Sequence, residues 1–254
     1  MKRWFIAIDG PSGAGKTTAA KQLKNEIHAY VNGVIHIEAE LYYRALAYYI
    51  WDIAMTHQDT DLFDIRTKTI HADNIATQVT GACPRIRADV NSGRQLMYIG
   101  DTPIHPNRLE TPSIFDLSRK LETIPAVCRY LSGLIQFQTK DYHICIMDGW
   151  NVAKDIQPDA DCKIYLTAPL STRIRYKMIG AAKTADLSYP DVPSYDKAEA
   201  ELEQRDTIRN CIRIANQIPI QNNGNLTETI QNMVIAAAYC GVPVRPFLQI
   251  IKEA

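Results

Sequence analysis

The sequence contains no stretch approaching the roughly 20 consecutive apolar residues that a membrane span requires. It carries no net charge either, with 28 Lys and Arg against 28 Asp and Glu in 254 residues. A protein that grips duplex DNA by charge alone needs a marked excess of cations, so that class is excluded, although a local basic cleft is not. The six cysteines, Cys83, Cys128, Cys145, Cys162, Cys211 and Cys240, form no C-x-x-C pair. That spacing offers neither a zinc site nor a disulfide framework. Cys145 and Cys162 sit in apolar runs and read as reduced core residues, from which an intracellular, cytoplasmic location is expected. There is no internal repeat and no low-complexity tract. Hydrophobic residues make up 46% and charged residues 22%, a balance that excludes wholesale disorder.

What is present is an alternation of strand and helix signals. Residues 4–8 (Trp-Phe-Ile-Ala-Ile) form a short continuous apolar run, as expected of a strand buried on both faces of a parallel sheet. Lys2 and Arg3 before this run resemble the start of a secretory signal, but Asp9 and the glycines after it cut the run short. A helix is predicted over 16–30, a strand over 34–37 and a helix over 40–55. Residues 85–105 change period: two alternating segments separated by turn signals predict a small antiparallel meander. Helix returns over 113–139, with Pro112 in its first turn and Pro125 breaking or kinking it. Strands are predicted over 142–147 and 162–166, and helices over 170–182, 196–216 and 226–239. The fold class is therefore α/β, a mostly parallel sheet flanked by helices with a small antiparallel insert. One domain, 1–254, is expected, with a core of 1–37 and 140–254, an arm of 38–139, and a mobile lid at about 175–200.

The most specific local signal is Gly10-Pro11-Ser12-Gly13-Ala14-Gly15-Lys16-Thr17. It fits G-x-x-x-x-G-K-[ST] and stands between a strand and a helix, as the motif requires. The glycines allow backbone N–H groups to curl round the phosphates of a nucleoside triphosphate. Lys16 reaches the β and γ oxygens, Thr17 offers a hydroxyl to Mg²⁺, and the helix N-terminus, with Thr18 in its first turn, adds partial positive charge. The motif gives a nucleoside triphosphate and Mg²⁺ as ligands but does not by itself give the reaction, which could be that of a kinase, a GTPase or an ATPase motor. No N/T-K-x-D guanine motif is present, which argues against a GTPase. Asp9 and Asp148 each end a predicted strand at the sheet edge where open α/β sheets bind ligands, and either can order Mg²⁺ or an acceptor.

The whole pattern resembles the bacterial-type cytidylate kinases, P-loop nucleoside monophosphate kinases. The segment from Ile8 to Thr17 is similar to their opening. Asp148-Gly149-Trp150-Asn151, followed by Pro158-Asp159-Ala160-Asp161 and Lys163-Ile164-Tyr165-Leu166-Thr167-Ala168, resembles their D-G-R-D and P-D-A-x-x-K-I-F-L-T-A segments. Residues 38–44 stand where the family has D-S-G-x-x-Y-R. The resemblance spans nearly the whole chain and implies a kinase that transfers the γ-phosphoryl group of ATP to a nucleoside monophosphate.

The departures gather on the acceptor side. Ala39 and Glu40 replace the family Ser and Gly, Glu110 and Cys128 replace arginines, and Arg119 replaces a serine. Trp150 and Asn151 replace the Arg and Asp of D-G-R-D, and Arg209 replaces an aspartate. An altered acceptor specificity is expected from this cluster. Arg44 matches the family's acceptor-phosphate arginine or is a surface helix arginine, and Arg119 and Arg129 are candidates to replace the lost ones. Trp150 stacks on a base or is a structural tryptophan. Arg173, Arg175, Arg205 and Arg209 match lid arginines that neutralise charge around the triphosphate; the other reading is a solvated basic face paired with Glu201 and Glu203. Arg205, Arg209 and Arg213, at i, i+4 and i+8, are expected on one helix face.

Glu38 either replaces the family aspartate structurally or serves as a base for a hydroxyl acceptor. That second role belongs to the first of two alternative functions: a kinase for a hydroxymethylpyrimidine nucleotide or DNA base, or a nucleotide-binding protein without turnover. The implied partner is a small-molecule nucleotide; nucleic acid enters only as an acceptor. A monomer or homodimer without membrane attachment is expected.

Overall fold

The computed structural model describes residues 2–58, 60–81, 85–90, 95–184, 193–209 and 213–244, with backbone alone for 180–184, 208 and 209. In chain order the elements are β1 (Trp4–Asp9), α1 (Lys16–His28), β2 (Val34–Glu38), α2 (Ala39–Thr56), β3 (Phe63–Asp64), β4 (Thr69–Ile70), α3 (Ala72–Thr80), β5 (Ile86–Asp89), β6 (Leu96–Ile99) and β7 (Thr102–Pro103). They continue with α4 (Pro106–Leu109), α5 (Pro112–Leu121), α6 (Pro125–Gln138), β8 (Ile144–Asp148), a π-helical turn (Val152–Ile156), β9 (Cys162–Thr167), α7 (Leu170–Thr184), α8 (Tyr195–Arg209), β10 (Ile218–Gln221) and α9 (Leu226–Tyr239). The chain divides into two compact units, one of residues 1–36 and 142–254 and the other of 37–141.

The first unit is built on a five-stranded sheet of order β10-β9-β1-β8-β2. β1 pairs in parallel with β8 on one side and β9 on the other, and β9 with β10. A strand so placed has both faces covered, which is why its apolar run is continuous rather than alternating: Ile6, Ala7 and Ile8 are all buried. Ala19, Ala20, Leu23 and Ile27 of α1 pack with Ile230, Met233, Ala236 and Ala237 of α9 in the same core. The two cysteines expected in the core, Cys145 and Cys162, lie buried in β8 and β9. Burial and the neighbouring Cys240 thiol push the Cys162 thiol well above the ordinary range.

β10 escapes prediction because Pro219 interrupts it. Pro219 cannot donate to a ladder, but β10 is an edge strand with one neighbour, β9, where proline is tolerated. The helix predicted over 196–216 ends earlier. Residues 213–217 are not helical, so Arg213 does not extend the arginine face. The physical reason is Gln217, whose side-chain oxygen accepts the N–H of Ile214 at 2.9 Å and turns the chain toward β10. Residues 185–192 of the predicted lid, the Arg209 side chain and the turn at 91–94 lie outside the described residues.

In the second unit α2 buries Tyr42, Tyr43, Leu46 and Ile50. The stretch predicted as one broken helix is two, α5 and α6, each opened by a proline in its first turn, Pro112 and Pro125. The meander is β5-β6-β7, with Ile86 opposite Ile99 and Tyr98 opposite Pro103. Gln138, at the end of α6, holds its edge: the side-chain amide donates to Ile86 O at 2.7 Å and accepts from Ala88 N at 3.2 Å. β3, β4 and α3, between α2 and the meander, carry too few apolar residues to announce themselves; α3 buries only Ile75 and Val79.

Candidate functional site

At the carboxyl end of β1 the chain turns through Gly10, Gly13 and Gly15, with φ of 145°, 77° and 88°, into α1. Gly15 caps the helix in the left-handed conformation. A Cβ there would lie 2.9 Å from Nδ2 of Asn222, and that amide donates to Ala14 O at 3.1 Å. Lys16 opens α1 and folds back over the loop, its ammonium donating to Gly10 O at 2.9 Å and Pro11 O at 3.0 Å. Thr18 is exposed in the first turn.

Thr17 points to the end of β8, its hydroxyl donating to Asp148 Oδ2 at 2.7 Å. The other carboxylate oxygen of Asp148 meets His36 Nε2 at 2.5 Å. Asp148 and His36 are both buried. A hydroxyl beside a carboxylate is an all-oxygen pair suited to Mg²⁺, which uses one or two protein oxygens and completes its shell with water and phosphate. Among the described residues no group of three or more His, Cys, Asp or Glu that could hold a metal is found.

Asp9 is placed differently. Its carboxylate accepts the N–H groups of Val152 at 2.6 Å and Ala153 at 3.1 Å, and the amide of Gln217 at 2.6 Å. It therefore ties β1 to the first residues of the π-helical turn and to the approach to β10. Asn151, left-handed at φ 51°, leads into that turn. Burial pushes the Asp9 carboxyl up to about 6, against the pull of the two backbone N–H groups, Lys16 and Gln217. A carboxyl whose pKa is raised on folding binds its proton more tightly in the native state, so it contributes stability below its unfolded value near 4 that is lost as pH rises through about 6. The stability of the native chain relative to Asp9→Asn is expected to fall by about 2 kcal/mol between pH 4 and pH 7. Urea unfolding of both proteins across that range measures it, and a pH-independent difference contradicts it.

Arg173, on α7, is buried. Its Nε donates to Ser12 O at 2.8 Å, and one terminal nitrogen pairs with Asp206 of α8. Asp206 in turn accepts the N–H of Ser12 at 3.1 Å. The three residues close a ring at Ser12 in the glycine loop. Arg205, beside Asp206, is half-buried, and with Lys177 its charge holds the Glu201 carboxyl below the usual range, the Lys177 hydrogen bond being the larger cause. Arg175 is exposed, its guanidinium 5.6 Å from the Tyr176 ring centroid.

Of the remaining candidates, Glu38, Arg44, Arg119 and Arg129 belong to the second unit and Trp150 to the first. Glu38 ends β2; its backbone N–H and carbonyl are both bonded by the Gln95 side chain, at 2.9 and 3.1 Å. Arg44 pairs with Glu40 one turn earlier at 2.9 Å, and its guanidinium lies 5.1 Å from the Phe115 ring. Arg119, held by Asp116, stands 4.8 Å from the same ring. Arg129 is exposed on α6. Trp150, following β8, is half-buried. Asp206 is marked in the sequence by the resemblance alone, as the Asp retained beside Arg205 in the family's late R-D-x-x-D-R pattern. His36, Gln217 and Asn222 are not identifiable as site residues from sequence; the one signal for any of these three is a histidine inside the apolar run Val34-Ile35-His36-Ile37.

Comparison with known proteins places these residues in a wider pattern. The profile of the family described as "Cytidylate kinase" matches residues 6–228. A cytidylate kinase of Bacteroides fragilis is 26% identical over 243 residues, covering 94% of this chain and 97% of that protein. One from Bartonella bacilliformis is 27% identical over 232 residues, covering 90% and 88%. A crystal structure from Thermus thermophilus superposes with a TM-score of 0.48 at 15% identity, covering 94% of this chain and 98% of that one. No helix among the described residues is long and apolar enough to cross a membrane.

Proposed function

Because the chain belongs to the cytidylate kinase family, we propose that this nucleotide kinase transfers the γ-phosphoryl group of ATP to a nucleoside monophosphate other than CMP. The observation that carries the donor half is the pairing of Thr17 Oγ1 with Asp148 at 2.7 Å beside the Lys16-bearing loop. It gathers a cation, an oxygen pair and a helix N-terminus at one sheet edge. Thr17 and Asp148 would hold Mg²⁺, which would supply neutralisation of the charge on the β and γ phosphate oxygens. Lys16 offers its ammonium to the same oxygens, and the loop N–H groups orient them. Arg173 and Asp206 hold Ser12 so that those N–H groups keep their direction. Arg205 brings a further positive charge on α8. Little covalent chemistry is asked of the protein in such a transfer, and positioning with charge stabilisation supplies the rate.

The acceptor half rests on Arg44 and its neighbours. Arg44 already has a counter-ion, Glu40, at 2.9 Å, where the family pattern has glycine. An acceptor phosphate that uses Arg44 must therefore compete with Glu40. Arg119, across the Phe115 ring, brings a second guanidinium to the same neighbourhood. An acceptor selected by this arrangement differs from one selected by the family's own set of arginines.

The test is ADP release from Mg-ATP with a panel of ribo- and deoxynucleoside monophosphates and with hydroxymethylated DNA. Turnover is expected with a monophosphate other than CMP or dCMP, and it should fall at least about a hundredfold in Lys16→Ala. CMP or dCMP turnover matching the best acceptor would sink the altered specificity. Turnover with DNA alone would move the reaction to a hydroxyl, and none above the Lys16→Ala level would leave only nucleotide binding.

A further inference from the structure

We propose that His36 is a positioning residue for the metal-binding pair, fixing the Asp148 carboxylate so that its second oxygen stays on Thr17. The inference rests on the reading of Thr17 and Asp148 as the oxygen ligands of Mg²⁺. Three facts carry it. His36 Nε2 lies 2.5 Å from Asp148 Oδ1, and Thr17 Oγ1 lies 2.7 Å from Asp148 Oδ2, so each carboxylate oxygen has its own partner. His36 is 8% exposed and Asp148 3%, so water does not compete for that contact. Val34, Ile35 and Ile37 around His36 are buried apolar residues, so packing alone would be met by another aliphatic side chain.

The contact is a hydrogen bond in the tautomer whose Nε2 bears the proton and donates it to the carboxylate oxygen. The terminal torsion of an aspartate is soft and broad. A carboxylate held at one oxygen only by Thr17 turns about that torsion. Held at both, it presents Oδ2 and the Thr17 hydroxyl oxygen in a fixed relation. The two strands supply the geometry, because β2 and β8 are neighbours in the sheet. Outer partners of this kind, hydrogen-bonded to a metal-ligating carboxylate, govern metal affinity while never touching the metal.

The experiment measures ADP affinity by titration calorimetry, in EDTA and in Mg²⁺, for the native chain, His36→Leu, His36→Gln and Asp148→Asn. The gain in affinity on adding Mg²⁺ should drop about tenfold in His36→Leu. It should stay within about twofold of native in His36→Gln, whose amide nitrogen reaches the Nε2 position. Affinity in EDTA should be unchanged in both. His36→Asn, whose amide stops at the Nδ1 position, replaces His36→Leu if that variant does not fold. A full Mg²⁺ gain in His36→Leu, an equal loss with and without metal, or failure of His36→Gln to restore the gain each overturns the proposal. If Asp148→Asn keeps the gain, the metal reading itself fails and takes the proposal with it. If Asp148→Asn loses the gain while His36→Leu keeps it, only the role of His36 falls.

Discussion

Replacing Gly10 with alanine is expected to cost about 4 kcal/mol of stability and to abolish tight nucleotide binding. Gly10 has φ 145°, and a Cβ there would lie 1.9 Å from the carbonyl oxygen of Leu166 and 3.0 Å from its carbon. Both atoms are backbone of β9, which is hydrogen-bonded to β1 on one side and β10 on the other. β9 cannot withdraw without opening the centre of the sheet, so the loop must move instead. The loop carries the Gly10 carbonyl that Lys16 uses at 2.9 Å, so the displacement reaches the ammonium proposed for the phosphates. Urea unfolding and ATP titration of Gly10→Ala check both effects. Gly133, in the interior of α6, gives the opposite control. A Cβ added there would meet nothing within 4 Å, and Gly133→Ala is expected to stabilise by up to about 1 kcal/mol through helix propensity. A native-like Gly10→Ala would mean that the close approach of loop and β9 does not constrain the fold.

This approach of loop to strand also marks the boundary of what the sequence makes legible. The apolar run of β1, the glycine loop and α1 follow one another in the chain and declare themselves together. So do α2, expected over 40–55 and found at Ala39–Thr56, and α9, found over the expected 226–239. Their signals are local: period, caps and breakers. β10 has only four residues, one of them a proline, and exists because β9 offers an edge. The π-helical turn at Val152–Ile156 has no period of its own; its first N–H groups are held by Asp9, 143 positions earlier for Val152. The site divides in the same way. Lys16 and Thr17 are named by a motif, and Asp9 and Asp148 by their position at strand ends. Asp9 nevertheless carries three N–H donors that no spacing foretells, and Asp206 finds Ser12 across 194 residues. Side chains that serve another element are invisible until the fold brings the two together.

Asp206→Ala is expected to destabilise the protein by about 2 kcal/mol, and Arg173→Met by a similar amount. Breaking a fully buried pair costs about 3–5 kcal/mol; the smaller figure applies here because the Asp206 side chain keeps 29% of its exposure while Arg173 keeps 10%. The two effects should not add. Both side chains act on Ser12, Arg173 through its carbonyl and Asp206 through its N–H. The double variant should therefore be less destabilised than the sum of the singles by at least about 1 kcal/mol, as found for groups sharing one network. Turnover should show the same coupling: if Arg173 works by holding Ser12, then once Asp206 is gone its removal costs little more. An Arg173→Met loss that is much deeper than that of Asp206→Ala, and that persists in the double variant, would instead put the guanidinium on the transferring phosphoryl group. Unfolding and kcat/KM measured on all four members of the cycle decide between a buttress of the loop and a charge at the reaction centre, and the ring around Ser12 favours the buttress.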